Sequence, residues 1–187
     1  MTLKTLDDRR QALENEFFSR KNREALDEMR AQNAAKTRRA SLVEASHISD
    51  EDVIAALDEA GISPETLTAV SVIPLVVVAW ADGSIKPAER AAIQKAAAEA
   101  GLTVPGSDLL EGWLAERPST ALLDTWKAYV HGLHSNLSGE AYTALRDQVL
   151  GSARAVAAAA GGFLGLGAIS AAETNILDAL HQAFVDG

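Results

Sequence analysis

Apolar residues recur along most of this chain at intervals of three and four, and nowhere is an alternation with β-branched residues sustained. That period belongs to helices with one buried face. Ala, Leu, Glu and Arg, all good helix formers, are frequent. Capping residues then divide the chain. A first helix is expected from about residue 5 into the low forties. Ser49, followed by Asp50, Glu51 and Asp52, opens a second that Gly61 closes. Ser63 and Pro64 open a third, apolar helix, which should kink near Pro74 and end before Asp82-Gly83. Pro87 opens a fourth, closed by Gly101, and Ser107 opens a fifth that ends before Pro118. Ser119 opens a sixth running to about Ser135, Ser138 a seventh ending at Gly161-Gly162, and Ser170 the last, ending near Gly187.

The pattern therefore predicts an all-α fold, a helical bundle with a long N-terminal helical arm over residues 1–45 and a helical domain over 46–187. In the third helix Val70, Val72, Ile73, Val76, Val77 and Trp80 cover most of the circumference. It should be the central element, buried on nearly all sides. Trp80, Trp113 and Trp126 read as core or interface anchors. In the arm, Leu6, Leu13 and Phe17 fit heptad spacing, but the next equivalent positions are Arg20 and Glu24, so no regular coiled coil is predicted. Phe17, Phe18, Leu26 and Met29 are expected to anchor the arm across a bundle. Residues 34–40 have no apolar face beyond alanine.

Composition narrows the function classes. With 187 residues, 48% hydrophobic and 23% charged, the chain can bury a sizeable core. It has no cysteine, which excludes disulfides, thiolate metal sites and a cysteine nucleophile. The net charge is −9, unsuited to duplex nucleic acid, whose binding needs cations to displace counterions. The charge is uneven. Residues 1–40 hold ten Lys/Arg and seven Asp/Glu, whereas the remainder holds seven basic and 19 acidic residues. A mildly basic arm on an acidic body should pack on that body or on a neighbour, so self-association through the arm is an expectation. Residues 1–10 carry no apolar run of a secretion signal. Residues 67–81 are uncharged but too short to cross a membrane, and 155–172 are mostly Ala and Gly. A cytoplasmic protein without a transmembrane segment is expected.

The sequence also repeats itself. Gly83-Ser84-Ile85-Lys86-Pro87-Ala88-Glu89 returns 84 residues later as Gly167-Ala168-Ile169-Ser170-Ala171-Ala172-Glu173, and Ala92-Ile93 matches Ile176-Leu177. The fold class is therefore predicted more closely as two pseudo-repeated helix-loop-helix units. Trp80-Ala81-Asp82-Gly83-Ser84-Ile85-Lys86-Pro87-Ala88-Glu89-Arg90 resembles the signature of TerB-like domains, the tellurite-resistance protein B family, and residues 161–173 resemble its second, glycine-rich copy. The resemblance covers roughly residues 50–187. It implies an all-helical, non-catalytic domain tied to tellurite resistance and stress response, acting by protein–protein binding, with an acidic patch at the repeat junction for a divalent cation. The second copy departs from it, with Leu166 where the first has Asp82.

Three sets of residues offer chemistry. Asp82 and Glu89 present hard oxygen ligands for Ca²⁺ or Mg²⁺. The same residues also read as an Asp-Gly turn and a carboxylate in the first turn of a helix opened by Pro87. Glu173 closes a capping box with Ser170, and it could share a cation with Glu89 if the two units face each other. His131 and His134 lie three apart on one helical face, a spacing that holds Zn²⁺ given a third ligand. The glycine cluster 161–167 lacks the strand that a dinucleotide fingerprint requires, and no P-loop, nucleophile elbow or Ser/His/Asp arrangement occurs. Two other functions stay open. One is a metal-dependent enzyme. The other is a regulatory or inhibitor protein docking through its basic N-terminal helix, since residues 7–17 are similar to the start of a small bacterial ATP-synthase inhibitor family.

Overall fold

The computed structural model describes residues 3–159 and 169–185, and among them it is helical throughout, without a strand. The glycine cluster 161–167, Leu166, and the expected helix end at Gly161-Gly162 lie outside the described residues. Eight α-helices follow one another: α1 (Leu3–Ser46), α2 (Glu51–Glu59), α3 (Ile73–Ala79), α4 (Pro87–Glu99), α5 (Val104–Ala115), α6 (Ala121–His134), α7 (Gly139–Ala159) and α8 (Ala171–Ala183). A 3₁₀ helix, Leu67–Val72, precedes α3. The chain forms two compact units, residues 1–40 and 41–187, and α1 runs through the boundary.

The first unit is helix alone. Its large apolar side chains Leu13, Phe17, Phe18, Leu26 and Met29 are exposed, so the anchoring expected of them is not seen. They are distributed around the helix rather than gathered on one face, and such a distribution gives no single side to bury. Phe17 and Phe18 meet edge to face at 5.8 Å, and the Arg20 guanidinium stands 5.8 Å from the Phe17 ring centre.

The second unit has one hydrophobic core. Leu42 and Ser46, at the end of α1, already belong to it, and the Ser46 hydroxyl donates to the Leu42 carbonyl at 2.7 Å. α1 ends at His47, whose φ of 58° is the left-handed turn that usually falls to glycine. Helix α3 is the hub, packed against α4, α6, α7 and α8. Its Ile73, Leu75, Val76 and Val78 are buried, as are Val70 and Val72 before it. Val77 and Trp80 are only partly buried, so the burial expected on nearly all sides holds for the rest of the helix but not for these two. The Trp80 indole N–H reaches out to the Trp113 carbonyl at 2.8 Å.

Helices α2 and α6 start one residue later than expected, after Asp50 rather than Ser49 and after Thr120 rather than Ser119, and two other starts differ by more. Pro74 does not kink a helix that began at Ser63. The ring lacks an N–H and clashes with a preceding turn, so α3 begins at Ile73 with Pro74 in its first turn and a tighter 3₁₀ segment before it. Helix α5 begins at Val104 rather than Ser107, because Thr103 caps it through the Gly106 amide and Pro105 occupies its first turn.

Candidate functional site

Helix α3 runs into a turn at Asp82-Gly83, and the chain then enters α4. Gly83 has φ +97°, a conformation L side chains rarely adopt, which explains why the turn needs glycine. The Asp82 carboxylate accepts from the Ser84 amide at 3.2 Å and from the Lys86 ammonium at 2.9 Å. The Lys86 hydrogen bond, with the Ser84 amide adding to it, holds Asp82 below the usual carboxylate range. Asp82 therefore sits at the exposed rim, engaged by a lysine of its own loop.

Glu89 lies one helical turn further, in the third position of α4, and is fully buried. One carboxylate oxygen, Oε2, accepts from the Lys86 amide at 2.7 Å. Only this half of a capping box is made, since a lysine side chain has no acceptor to return. The other oxygen, Oε1, is buried with no hydrogen-bond partner. Burial raises Glu89 above the usual carboxylate range, the Lys86 amide and charge oppose that, and the negative charges of Asp82 and Glu173 add to it.

At the start of α8, Glu173 likewise holds the third helical position. Ser170 Oγ accepts from the Glu173 amide at 3.1 Å, and Glu173 Oε2 accepts from the Ser170 amide. This capping box is complete. Glu173 is 3% exposed, and its Oε1 is likewise buried without a partner. The charge of Glu173 is felt both at Glu89 and at the Lys86 ammonium. The fold thus sets Glu89, Glu173 and Lys86 within electrostatic reach of one another, with Asp82 at the edge. It leaves two buried carboxylate oxygens without donors, and such groups are costly unless a proton or a cation satisfies them.

Capping chemistry was legible in the sequence at both glutamates. Their burial and the two orphaned oxygens were not, because burial depends on which helices cover a helix start. Among the described residues no three His, Asp or Glu side chains gather closely enough to hold a metal, so a cation here would have at most the two glutamates as acidic ligands among them.

His131 and His134 sit exposed near the end of α6. The His134 ring stacks edge-on against Tyr142 at 4.8 Å, and no third ligand joins the pair among the described residues. The glycine between them has a packing reason. A Cβ at Gly132 would stand 3.2 Å from Ile48 Cδ1, so α6 comes close to the chain just after α1. No described helix is long and apolar enough to cross a membrane. Comparison with protein-family models, curated proteins and solved structures finds no match to this chain.

Proposed function

We propose that this chain is a non-catalytic, TerB-like helical module that works by binding partner proteins in the cytoplasm, in a stress-response setting, and that holds one divalent cation between Glu89 and Glu173. The observation that carries the cation is the pair of buried, unpartnered Oε1 atoms at the starts of α4 and α8. A divalent cation bound there would neutralise two carboxylates that otherwise repel. Asp82 takes an outer role, because Lys86 already engages one of its oxygens and the Ser84 amide the other. The cation has a structural task. It ties the start of α8 to the turn between α3 and α4, so that the module presents one surface.

A second reading is favoured by the raised proton affinity of Glu89, in which a proton rather than a metal satisfies the pair. Calorimetric titration of the EDTA-treated chain with Mg²⁺ and Ca²⁺ separates the two. Saturable binding at one site, lost in both Glu89→Gln and Glu173→Gln, supports the cation. Absence of binding at millimolar metal, together with a Glu89→Gln variant as stable as the parent at neutral pH, gives the pair to the proton.

A further inference from the structure

Protein interiors leave few gaps larger than a water molecule. The second unit has a much larger one. A cavity of about 480 Å³ opens beside the start of α3, where the end of α1, the 3₁₀ helix, α4, α6 and α7 converge. Small side chains leave it unfilled: Ala45 on α1, Ser71 on the 3₁₀ helix, Ala96 and Ala100 at the end of α4, and Ser152 on α7. The buried part of its lining is apolar, with Val70, Val72, Leu75, Trp126, Val130 and Val149. Among the described residues that line it, none is Asp, Glu, Lys, Arg or His. That neutrality is not general to this chain. The cleft between α2, α5 and α6, about 820 Å³, is lined by Glu59, Glu116, Arg117 and Asp124 beside its apolar groups.

The polar groups of the neutral cavity are few. At its exposed side the Ser71 hydroxyl already donates to the Thr68 carbonyl at 2.7 Å. Tyr129, on α6, lies half-buried in the lining. Burial pushes its phenol above the usual range, so the hydroxyl stays protonated and both donates and accepts. We propose that this cavity is a binding site for an uncharged, mainly apolar small molecule carrying one hydroxyl or carbonyl group, with the Tyr129 hydroxyl as its polar contact. The volume falls within the range of small-molecule clefts, about 300–1,000 Å³. The apolar walls supply affinity by taking ligand surface out of water, and the polar contact fixes orientation. An ionised ligand would lose hydration against a lining that holds no opposite charge. Neither Glu89 nor Glu173 lines the cavity, so the site stands independently of the cation.

The test titrates the full chain with Nile red, an uncharged apolar dye whose one ring carbonyl accepts a hydrogen bond and whose emission rises and shifts to the blue out of water. One saturable site per chain is expected. Decanol should displace the dye, and decanoate, ionised at neutral pH, should need roughly tenfold more. Ser152→Phe places a ring in the cavity, and Ala100→Trp covers it from an exposed position, so each should lose most of the binding. Ala100 is exposed, so its variant folds even where the ring at Ser152 disturbs packing. Tyr129→Phe removes only the hydroxyl and should weaken decanol about fivefold with little change in the thermal melt. Dye binding that never saturates overturns the site. So does decanoate competing as well as decanol, or a folded Ala100→Trp variant that binds like the parent. Parent-like affinity for decanol in Tyr129→Phe overturns the role given to that hydroxyl.

Discussion

At the residue scale, the two buried glutamates have different supports, and the difference is measurable. Glu173 is locked by a reciprocal box with Ser170, so Ser170→Ala should remove the bond to the Glu173 amide and cost about 1 kcal/mol in urea denaturation. At the start of α4 the N-cap is Lys86, which makes no side-chain cap. There Lys86→Ser should supply the missing acceptor for the Glu89 amide, but it also removes the charge that acts on Glu89 and Glu173, so in urea denaturation it should gain less than Ser170→Ala costs. The pH dependence has a definite sign. Glu89 has a raised proton affinity in the fold, so the folded state binds its proton first as pH falls. In metal-free buffer the Glu89 contribution to stability therefore rises as pH drops through the range just above the usual carboxylate values. Asp82, Glu65 and Glu111 are shifted the other way, and their contributions are lost only in more acid solution.

At the element scale, α3 decides whether the second unit folds. Val76 is fully buried at the centre of that helix, and Val76→Asp places an unpaired charge there, so no cooperative melt should survive in circular dichroism. Val77→Asp is the informative companion. Val77 is partly exposed, so this change should leave a folded though weakened chain. The sequence pattern placed an apolar helix over this segment, though from Ser63 rather than Ile73, and could not separate these neighbours, because a run of apolar residues covers a helix all round and says nothing of which neighbours pack against it. Pro74 and Thr103 show a different limit. Each is a legible start signal, yet Ser63 and Ser107 read as equally good ones by composition; local chemistry decided, through the Pro74 ring at one and the Thr103 hydroxyl with Pro105 at the other. The end of α1 was less visible still, since its left-handed residue is His47 and no glycine announces it.

At the scale of the whole molecule, the chain divides into a helix that exposes its apolar residues and a helical unit that buries them. The composition break in the forties was legible. The division itself falls after Ala40, because Leu42 is completely buried in the core of the second unit. A chain beginning at Ser41 should therefore keep a cooperative melt, whereas one beginning at Glu44 loses Leu42 and should be destabilised by about 2–5 kcal/mol, the usual cost of deleting a buried leucine. The sequence offered Asp82 and Glu89 together as ligands, while the fold gives the unsatisfied oxygens to Glu89 and Glu173, and the charge of Glu173 acts on Glu89. The most direct measurement is the thermal melt of the EDTA-treated full chain with and without millimolar Mg²⁺, at pH 7.5 and again at pH 5.5. A cation on the two carboxylates competes with protons, so the melting temperature should rise with Mg²⁺ at pH 7.5, rise less at pH 5.5, and not move in Glu89→Gln. A melting temperature indifferent to Mg²⁺ and Ca²⁺ at pH 7.5 would contradict the cation and leave the pair to a shared proton.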